Sequence, residues 1–281
     1  MRFGASTFIW VSPFGGDSID LIDKVKGFRF DLIEICIEQP ETIEVERIRE
    51  RLRRADIKAL VCGAFGPDRD MSSEDAAVRA NAADYLKTCI DIAHALESPT
   101  VSGPMYAGVG NTKMRDASER RAQWDRAVST LAPIADYAAE RGVKLAIEPL
   151  NRFETDLVNT VEQGLSLIDD IGKANVGLLL DTFHMNIEEK SIPAALRKAG
   201  QRIFEFHACS SDRGTPGEDH LPWSDIVAAL KAVDYQGPIV IEAFTPAIKE
   251  IARAVSLWRP LAASEDILAR DGLAHLQRVF A

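Results

Sequence analysis

Four apolar runs decide the fold of this chain: KLAIEP at 144–149, VGLLLDTFHMN at 176–186, IFEFHAC at 203–209 and PIVIEAF at 238–244. Each run carries, at or near its end, a side chain that can bind a metal ion, and these are Glu148, Asp181, His207 and Glu242. A carboxylate at the end of a Val/Ile/Leu run is costly to bury unless a cation or another partner receives it. Four such ends, separated by helix-length segments, predict one shared site for a divalent cation.

The same alternation of strand and helix extends through the whole chain. We predict strands at 3–10, 31–38, 58–64, 99–105, 144–149, 177–182, 203–209 and 238–244. The segments between them, such as 44–55 and 118–141, place apolar residues at helical spacing. Strands that alternate with helices form parallel βαβ units, and eight of them can close a barrel. Because no linker divides the chain, we predict one (β/α)8 barrel domain over residues 1–281. The helical, apolar pattern after residue 250 predicts a C-terminal tail that packs on the barrel or on a neighbouring subunit.

The overall composition argues against several classes of protein. The chain has 281 residues, 46% of them hydrophobic, and a net charge of −10, which disfavours nucleic acid and acidic membranes as partners. No run of about 18 apolar residues is present, so we predict no membrane span. The N-terminus lacks a signal-peptide layout, and the four cysteines show no CxxC spacing. These features predict a cytoplasmic protein.

The four potential ligands are expected to meet at one end of the barrel. Active sites of (β/α)8 barrels lie at the carboxyl ends of the strands, and alternation turns these side chains toward the barrel axis. An oxygen-rich set with one imidazole suits Mn²⁺, Mg²⁺ or Co²⁺ better than a thiolate zinc site does. Such an ion can hold adjacent sugar oxygens and stabilise an enediolate, while two carboxylates move protons on opposite faces. The alternative is four isolated polar groups in a loop network, which their shared position on the strands disfavours.

Several motifs carry a resemblance to a known family. NRFET after Glu148, the run LDTFHMNIEE, and the stretch from His207 through DRGTPGEDHLPW resemble the D-tagatose 3-epimerase family, which includes the D-psicose (D-allulose) and L-ribulose 3-epimerases. The run IVIEAF and the pair Trp258–Arg259 are also similar. The resemblance implies a TIM barrel with one divalent ion per chain, Mn²⁺ or Co²⁺ first and Mg²⁺ as a further option. It also implies epimerisation of small free ketoses at C3 by a homo-dimer or homo-tetramer.

The resemblance further implies a role for individual residues. The implied metal ligands are Glu148, Asp181, His207 and Glu242, and the implied acid/base pair is Glu148 with Glu242. His184 and Arg213 are expected to contact the C1–C2 end of the ketose, with Glu154 supporting the substrate from the loop after the fifth strand. Structural alternatives stay open: His184 could cap a loop, Arg213 could form a surface ion pair, and Glu154 could anchor a loop.

Three departures from the family pattern concern the far end of the sugar. Several relatives carry Glu where this chain has Ser210, and relatives often carry Pro in place of Ala243 and a Trp in the loop that reads GPMYAGVGN here. These departures leave the metal and proton-transfer residues unchanged and bear on recognition of C4–C6. The possible pocket walls are Phe8, Trp10, Phe14, Glu38, Cys62, Gly103 and Tyr106. Glu34, inside the second strand, is expected to be a buried polar group with a hydrogen-bond partner.

Two other reactions fit the same residues. Aldose–ketose isomerisation, as in hydroxypyruvate isomerase-like enzymes, also passes through an enediolate, and lyases such as inosose dehydratase share the scaffold. A DNA-cutting metal hydrolase is disfavoured, because it needs many His ligands and a basic groove, whereas this chain has five His and is acidic. A Gly-rich turn, RGTPG at 213–217, is a weak phosphate signal, so we predict an unphosphorylated substrate.

Overall fold

Eight parallel strands close into a barrel in which each strand pairs with its neighbours in chain order. The computed structural model describes residues 1–281. The strands are β1 (Arg2–Ser6), β2 (Leu32–Ile37), β3 (Lys58–Gly63), β4 (Thr100–Gly103), β5 (Lys144–Ile147), β6 (Val176–Asp181), β7 (Ile203–His207) and β8 (Pro238–Ile241). The ring closes where β1 pairs with β8 and Gly4 lies opposite Val240. The predicted (β/α)8 barrel is confirmed.

Ten α-helices surround or follow the strands. They are α1 (Leu21–Gly27), α2 (Val45–Ala55), α3 (Ala76–Ala95), α4 (Ala117–Glu140), α5 (Val161–Ile171), α6 (Thr182–Glu188), α7 (Ile192–Ala199), α8 (Trp223–Ala232), α9 (Lys249–Ala254) and α10 (Glu265–Phe280). Several begin at a side chain that accepts a backbone N–H, as Thr160 does at the start of α5 with Gln163 completing the capping box. None of the helices is both long and apolar enough to cross a bilayer.

Strand alternation sorts the side chains into two layers. On β2, Ile33, Ile35 and Ile37 belong to a large apolar core of 72 buried residues that includes the inner faces of the helices. The alternate residue Leu32 belongs to a separate small apolar cluster with Leu60 of β3 and Val240 of β8. Polar residues follow this cluster at intervals of two along the same strands. The alternation thus directs the polar side chains of several strands into one barrel interior.

The first strand is shorter than the sequence predicts. It was expected over 3–10, but it ends at Ser6, whose hydroxyl accepts a hydrogen bond from the backbone N–H of Phe8 at 3.4 Å. This cap begins a 3₁₀ helix over Thr7–Ile9. A side-chain hydroxyl that satisfies the backbone in this way competes with strand pairing. Phe8 and Trp10 therefore do not share one strand face.

The C-terminal tail packs on the barrel, as predicted. Ser264 caps α10, whose apolar residues Leu268, Leu273 and Leu276 are buried. The helix lies against α8 and β8. Between α9 and α10 the chain has no regular structure, and Trp258 is 75% exposed there.

Candidate active site

The four potential metal ligands come together at the carboxyl end of the barrel. Glu148 directly follows β5, Asp181 ends β6, His207 ends β7, and Glu242 directly follows β8. One ligand atom from each residue lies within 4.8 Å of the other three. All four side chains are buried. Three carboxylates and one imidazole at this spacing are a donor set that suits a hard divalent cation.

His207 is held in an orientation typical of a metal ligand. Its Nε2 lies 2.9 Å from Oε1 of Glu34, and both side chains are fully buried. Its Nδ1 has no hydrogen-bond partner and lies 3.8 Å from a carboxylate oxygen of Asp181 and of Glu242. A buried ring nitrogen without a partner is costly unless something else occupies its lone pair. A cation at that position would do so, and the carboxylate on the far nitrogen is the usual support of such a ligand.

The electrostatics of the cluster also favour a cation. Burial and the nearby Glu242 raise the pKa of Glu148 well above its usual value, and they raise the pKa of Asp181 to about 6. Burial disfavours a charged His207, but Glu34 and Glu242 outweigh it and raise its pKa well above the usual range. Carboxylates that are buried together resist ionisation unless positive charge lies among them. The cluster therefore fits a bound divalent ion.

Glu34 and Glu205 form a polar layer beneath His207. Glu34 was expected to be a buried polar group, and the structure gives it His207 as its partner. Glu205 lies in the barrel interior, where it accepts a hydrogen bond from the hydroxyl of Thr100 at 3.0 Å and approaches His207 Nε2 at 3.9 Å. The sequence contained a signal for Glu205, because alternation in IFEFH puts it on the same face as His207. A shared strand face alone, however, does not distinguish a residue of the site from a buried polar group.

His184, on α6, points a hydrogen-bond donor toward Glu148. Its Nδ1 accepts the backbone N–H of Asn151 at 3.1 Å, so a neutral ring carries its proton on Nε2. That Nε2 lies 3.6 Å from Oε1 of Glu148. Burial and the nearby Arg213 hold the pKa of His184 well below its usual value, which keeps the ring neutral. His184 also lines the cavity described below.

Arg213 joins two carboxylates across the site and is not a surface residue. It is 4% exposed, donating from Nη1 to Oε2 of Glu242 at 3.2 Å and from Nη2 to Oε1 of Glu154 at 3.4 Å. The guanidinium carbon lies over two aromatic rings, 4.2 Å from the centroid of Phe183 and 4.7 Å from that of Phe244. Two carboxylates and two aromatic rings therefore hold the guanidinium in place.

Glu154 is anchored in the loop after β5. Besides Arg213, it accepts a hydrogen bond from the side-chain amide of Asn151 at 2.8 Å. The same Asn151 holds His184, so the loop ties the Arg213–Glu154 pair to the histidine. Glu154 also lines the cavity. Glu154 therefore anchors the loop and also faces the cavity, so a role in the loop does not exclude a role in supporting the substrate.

A cavity of about 260 Å³ opens above these groups. Its floor includes Glu148 and Glu242, while much of its wall is apolar. The apolar wall residues are Phe8, Cys62, Ala64, Phe65, Pro104, Val109, Leu150, Phe244, Ile251, Ala254 and Val255. A polar floor under an apolar wall is the usual form of a small-molecule site. Of the seven wall residues predicted from sequence, Phe8, Glu38 and Cys62 line this cavity.

Trp10 and Phe14 lie outside the cavity lining. The indole of Trp10 stacks on Phe28 at a centroid distance of 6.3 Å and donates from Nε1 to Asp266 at 2.7 Å. Phe14 is 1% exposed and belongs to the apolar core. The physical reason is the early end of β1, since the 3₁₀ turn sends the chain after Ile9 toward the helix layer.

Gly103 and Tyr106 also lie outside the lining. Gly103 ends β4 with a φ of +125°, and a Cβ there would lie 2.8 Å from the carbonyl oxygen of Gly63. Its role is to let two strands approach closely. Tyr106 is fully buried, and its hydroxyl donates to the carbonyl of Val158 at 2.8 Å. The only aromatic of the loop after β4 therefore supports the loop after β5 and does not wall the cavity.

One part of the cavity wall has little sequence signal. Ile251 and Ala254 of α9, with Val255 after it, close the cavity on the side of the C-terminal tail. Phe244 lies beside them, two residues after Glu242 in the run IVIEAF. A short helix in a tail predicted simply to pack on the barrel gives no sequence signal for contact with a ligand.

The chain is similar to known proteins over nearly its whole length. Residues 12–270 match the model of a family described as xylose isomerase-like TIM barrel. A probable ketose 3-epimerase of Synechocystis is 34% identical over 280 residues, covering 100% of this chain and 97% of that protein. A D-psicose 3-epimerase of Agrobacterium fabrum is 33% identical, covering 93% of this chain and 90% of that protein. A solved L-ribulose 3-epimerase structure superposes with a TM-score of 0.93 at 31% identity, covering 99% of this chain and 94% of that one.

Proposed function

We propose that this chain, which belongs to the ketose 3-epimerase family of xylose isomerase-like TIM barrels, is a divalent-metal-dependent epimerase of free ketohexoses or ketopentoses. Its similarity to ketose 3-epimerases extends over its full length and includes an L-ribulose 3-epimerase structure. Membership makes the chain an isomerase of the epimerase type. The dependence on a metal, the roles of the glutamates and the form of the substrate are the proposal.

One observation carries the proposal: Glu148 and Glu242 belong to the four-residue ligand cluster and also line the cavity. They arise from β5 and β8, which are not neighbours in the barrel. Epimerisation requires a proton to leave one face of a carbon and another to arrive on the opposite face. Two carboxylates on separate strands can act on two faces of one substrate, which a single group cannot do without moving.

The residues that would hold the ion are Glu148, Asp181, His207 and Glu242. The unpartnered Nδ1 of His207 and the packed carboxylates support this assignment. We propose Mn²⁺ or Co²⁺, with Mg²⁺ as a further option, because the donors are mainly oxygen. When bound, the ion would polarise adjacent substrate oxygens and stabilise negative charge on them.

The protein's own groups would move the protons and orient the sugar. Glu148 and Glu242 would exchange protons with opposite faces of C3 through an enediolate of the substrate. His184 Nε2–H and the guanidinium of Arg213 would donate to oxygens at the C1–C2 end. Glu154 would hold Arg213 in position through the 3.4 Å contact between them. Each of these groups lines the cavity.

The cavity supports an unphosphorylated substrate. Arg213 is the one Lys or Arg side chain among its lining residues, and two carboxylates already engage it. A phosphate dianion there would also face Glu38, Glu148 and Glu154. Like charges at these distances disfavour binding of a phosphate. A neutral ketose has no such penalty.

Two further properties belong to the proposal, the subunit count and the compartment. A homo-dimer or homo-tetramer follows from the family resemblance. The four cysteines are free and buried, which is compatible with a reducing cytoplasm.

Solvent exchange tests the reaction directly. The enzyme, loaded with Mn²⁺ or Co²⁺, is incubated in deuterated water with D-tagatose, D-fructose, D-psicose and L-ribulose in turn. We expect a C3-epimeric product that carries deuterium at C3. Label at C1 or C2 with an aldose product would indicate an aldose–ketose isomerase, and loss of water would indicate a lyase. Either result would contradict the proposal.

A further inference from the structure

Two cysteines lie side by side at the edge of the cavity. Cys36 of β2 and Cys62 of β3 are register partners in adjacent parallel strands. Strand alternation directs both side chains into the barrel, and Cys62 is among the residues that line the cavity. Neither thiol has a role in the proposed reaction. The pair is buried in a small apolar cluster that includes Phe8 and Phe244.

Glu34 completes a three-residue set with this pair. Atoms of Glu34, Cys36 and Cys62 that could each bind a metal lie within 4.8 Å of one another. The Sγ of Cys36 is 3.9 Å from Oε2 of Glu34. The other oxygen of that carboxylate, Oε1, is hydrogen-bonded to Nε2 of His207. The hydroxyl of Ser6 is also 3.2 Å from Sγ of Cys36. The set differs from the catalytic cluster, because it offers two sulfur atoms where the other offers oxygen and nitrogen.

We propose that Cys36, Cys62 and Glu34 form a second metal site that binds a thiophilic divalent cation such as Zn²⁺ or Cd²⁺ and thereby inhibits the enzyme. Soft thiolate donors select such ions, whereas the oxygen-rich catalytic cluster suits Mn²⁺, Co²⁺ or Mg²⁺. The two sites therefore discriminate between ions by donor type although they lie in the same barrel.

The binding step is balanced by the release of two protons. Two S–H bonds break, two metal–sulfur bonds form, and both protons pass to solvent. Burial raises the pKa of the Cys36 thiol, and the contact with Cys36 together with burial raises that of Cys62. The thiols therefore remain protonated without an ion, which makes them poor nucleophiles toward oxidants. A bound cation, in contrast, compensates the negative charges of the two thiolates that form when it displaces their protons.

Inhibition follows from the position of Glu34 between the two sites. An ion bound to Oε2 of Glu34 withdraws negative charge from the carboxylate. The other oxygen, Oε1, then becomes a weaker hydrogen-bond acceptor for Nε2 of His207. Loss of such support typically costs about 10–100-fold in metal affinity or activity. Because Cys62 lines the cavity, the ion also alters the wall that contacts the substrate. Excess Mn²⁺ should therefore relieve the part of the inhibition that comes from weaker Mn²⁺ binding, but not the part that comes from the altered wall, because Mn²⁺ does not displace the ion from the two thiolates.

The test titrates Cd²⁺ into the Mn²⁺-loaded enzyme and follows the ultraviolet thiolate-to-Cd²⁺ charge-transfer band. We expect saturation at about one equivalent per chain, since one thiolate pair is available. The band should be lost in both Cys36→Ser and Cys62→Ser and retained in Cys89→Ser. Cys89 is an equally buried thiol on α3 and serves as the matched control.

One further variant separates this site from the catalytic centre. The Sγ of Cys209 lies 3.0 Å from Oδ2 of Asp181, so Cd²⁺ among the catalytic ligands could contact that thiol. A band that persists in Cys36→Ser and Cys62→Ser but disappears in Cys209→Ser would overturn the proposal. X-ray absorption at the cadmium edge of the unmodified protein keeps the test independent of folding of the variants. Two sulfur neighbours are expected, and one or none would contradict the site.

Activity gives a second and separate readout. Each variant's rate with Cd²⁺ is divided by its own rate without Cd²⁺, so that any change in basal activity cancels. The unmodified enzyme and Cys89→Ser should lose about 10–100-fold, while Cys36→Ser should lose much less. The spectroscopic result requires no epimerase activity, so failure of the proposed function and failure of this site would be distinguishable.

Discussion

Oε1 of Glu34 lies 2.9 Å from Nε2 of His207, at the centre of the barrel and out of contact with solvent. This contact leaves Nδ1 as the ring atom that faces Asp181 and Glu242. A buried carboxylate thereby selects which nitrogen is available to an ion and increases its basicity. The relationship connects β2 to the ligand set Glu148, Asp181, His207 and Glu242, to which β2 itself contributes no residue.

Glu34→Gln should weaken binding of the ion. The amide can still accept from Nε2–H, but it lacks the negative charge that makes Nδ1 a strong donor. We expect the Kd for Mn²⁺, measured by calorimetry on metal-free protein, to rise by about 10–100-fold. Glu50→Gln is the matched control, because Glu50 is an exposed residue of α2. An equal Kd for Mn²⁺ in the two variants would show that Glu34 does not support His207 as a metal ligand.

Glu148→Gln and Glu242→Gln should each abolish epimerisation. Each change removes a group that accepts or returns the proton at C3, and such groups typically contribute about 10²–10⁴-fold to the rate. Rates are measured by product analysis with L-ribulose and D-fructose, and folding is checked by circular dichroism. The control is Glu140→Gln at an exposed position on α4. A near-normal rate in either variant would exclude that residue as the acid or base.

Arg213→Lys should lower kcat/KM by roughly 10- to 100-fold. Lysine keeps the charge but cannot bridge Glu154 and Glu242 in one plane, and hydrogen bonds to charged groups are worth about 1.5–3 kcal/mol. Arg259→Lys is the control, since Arg259 is exposed and lies 3.8 Å from Asp212. If both substitutions leave kcat/KM unchanged, the bridge does not contribute to the reaction.

Removal of the ion should lower stability as well as activity. An ion at about 100 times its Kd stabilises the folded state by about 2.7 kcal/mol, which corresponds to several degrees in Tm. We expect chelator to lower Tm by that amount and Mn²⁺ to restore it. Asp181→Asn, which removes one ligand charge, should show a much smaller shift. A Tm that changes with neither chelator nor Mn²⁺ would argue against the metal centre.

The ligand cluster could be predicted from sequence because strand periodicity and barrel topology constrain each other. Glu148 and Glu242 directly follow β5 and β8, and His207 ends β7, so parallel strands of a closed barrel bring them to one end. The prediction needed no side-chain detail. His184 and Arg213 were assigned through resemblance to a family, and the structure places both at the cavity.

The cavity wall was less predictable, because it depends on loop geometry. Trp10 was expected beside Phe8, yet the cap at Ser6 ends β1 and separates them. Local hydrogen bonds of this kind leave almost no trace in a pattern of apolar residues. Ile251 of α9 reaches the cavity through the path of the tail, which tertiary packing decides and periodicity does not.

The short helix α9 has a practical consequence for redesign. Its Ile251 and Ala254 form part of the cavity wall, whereas every proposed proton-transfer and ion-binding group belongs to the barrel strands or the residues just after them. One part of the cavity wall is thus encoded apart from the proposed reaction centre. A library confined to codons 249–255 would therefore vary that part of the wall while every proposed proton-transfer and ion-binding residue is inherited intact.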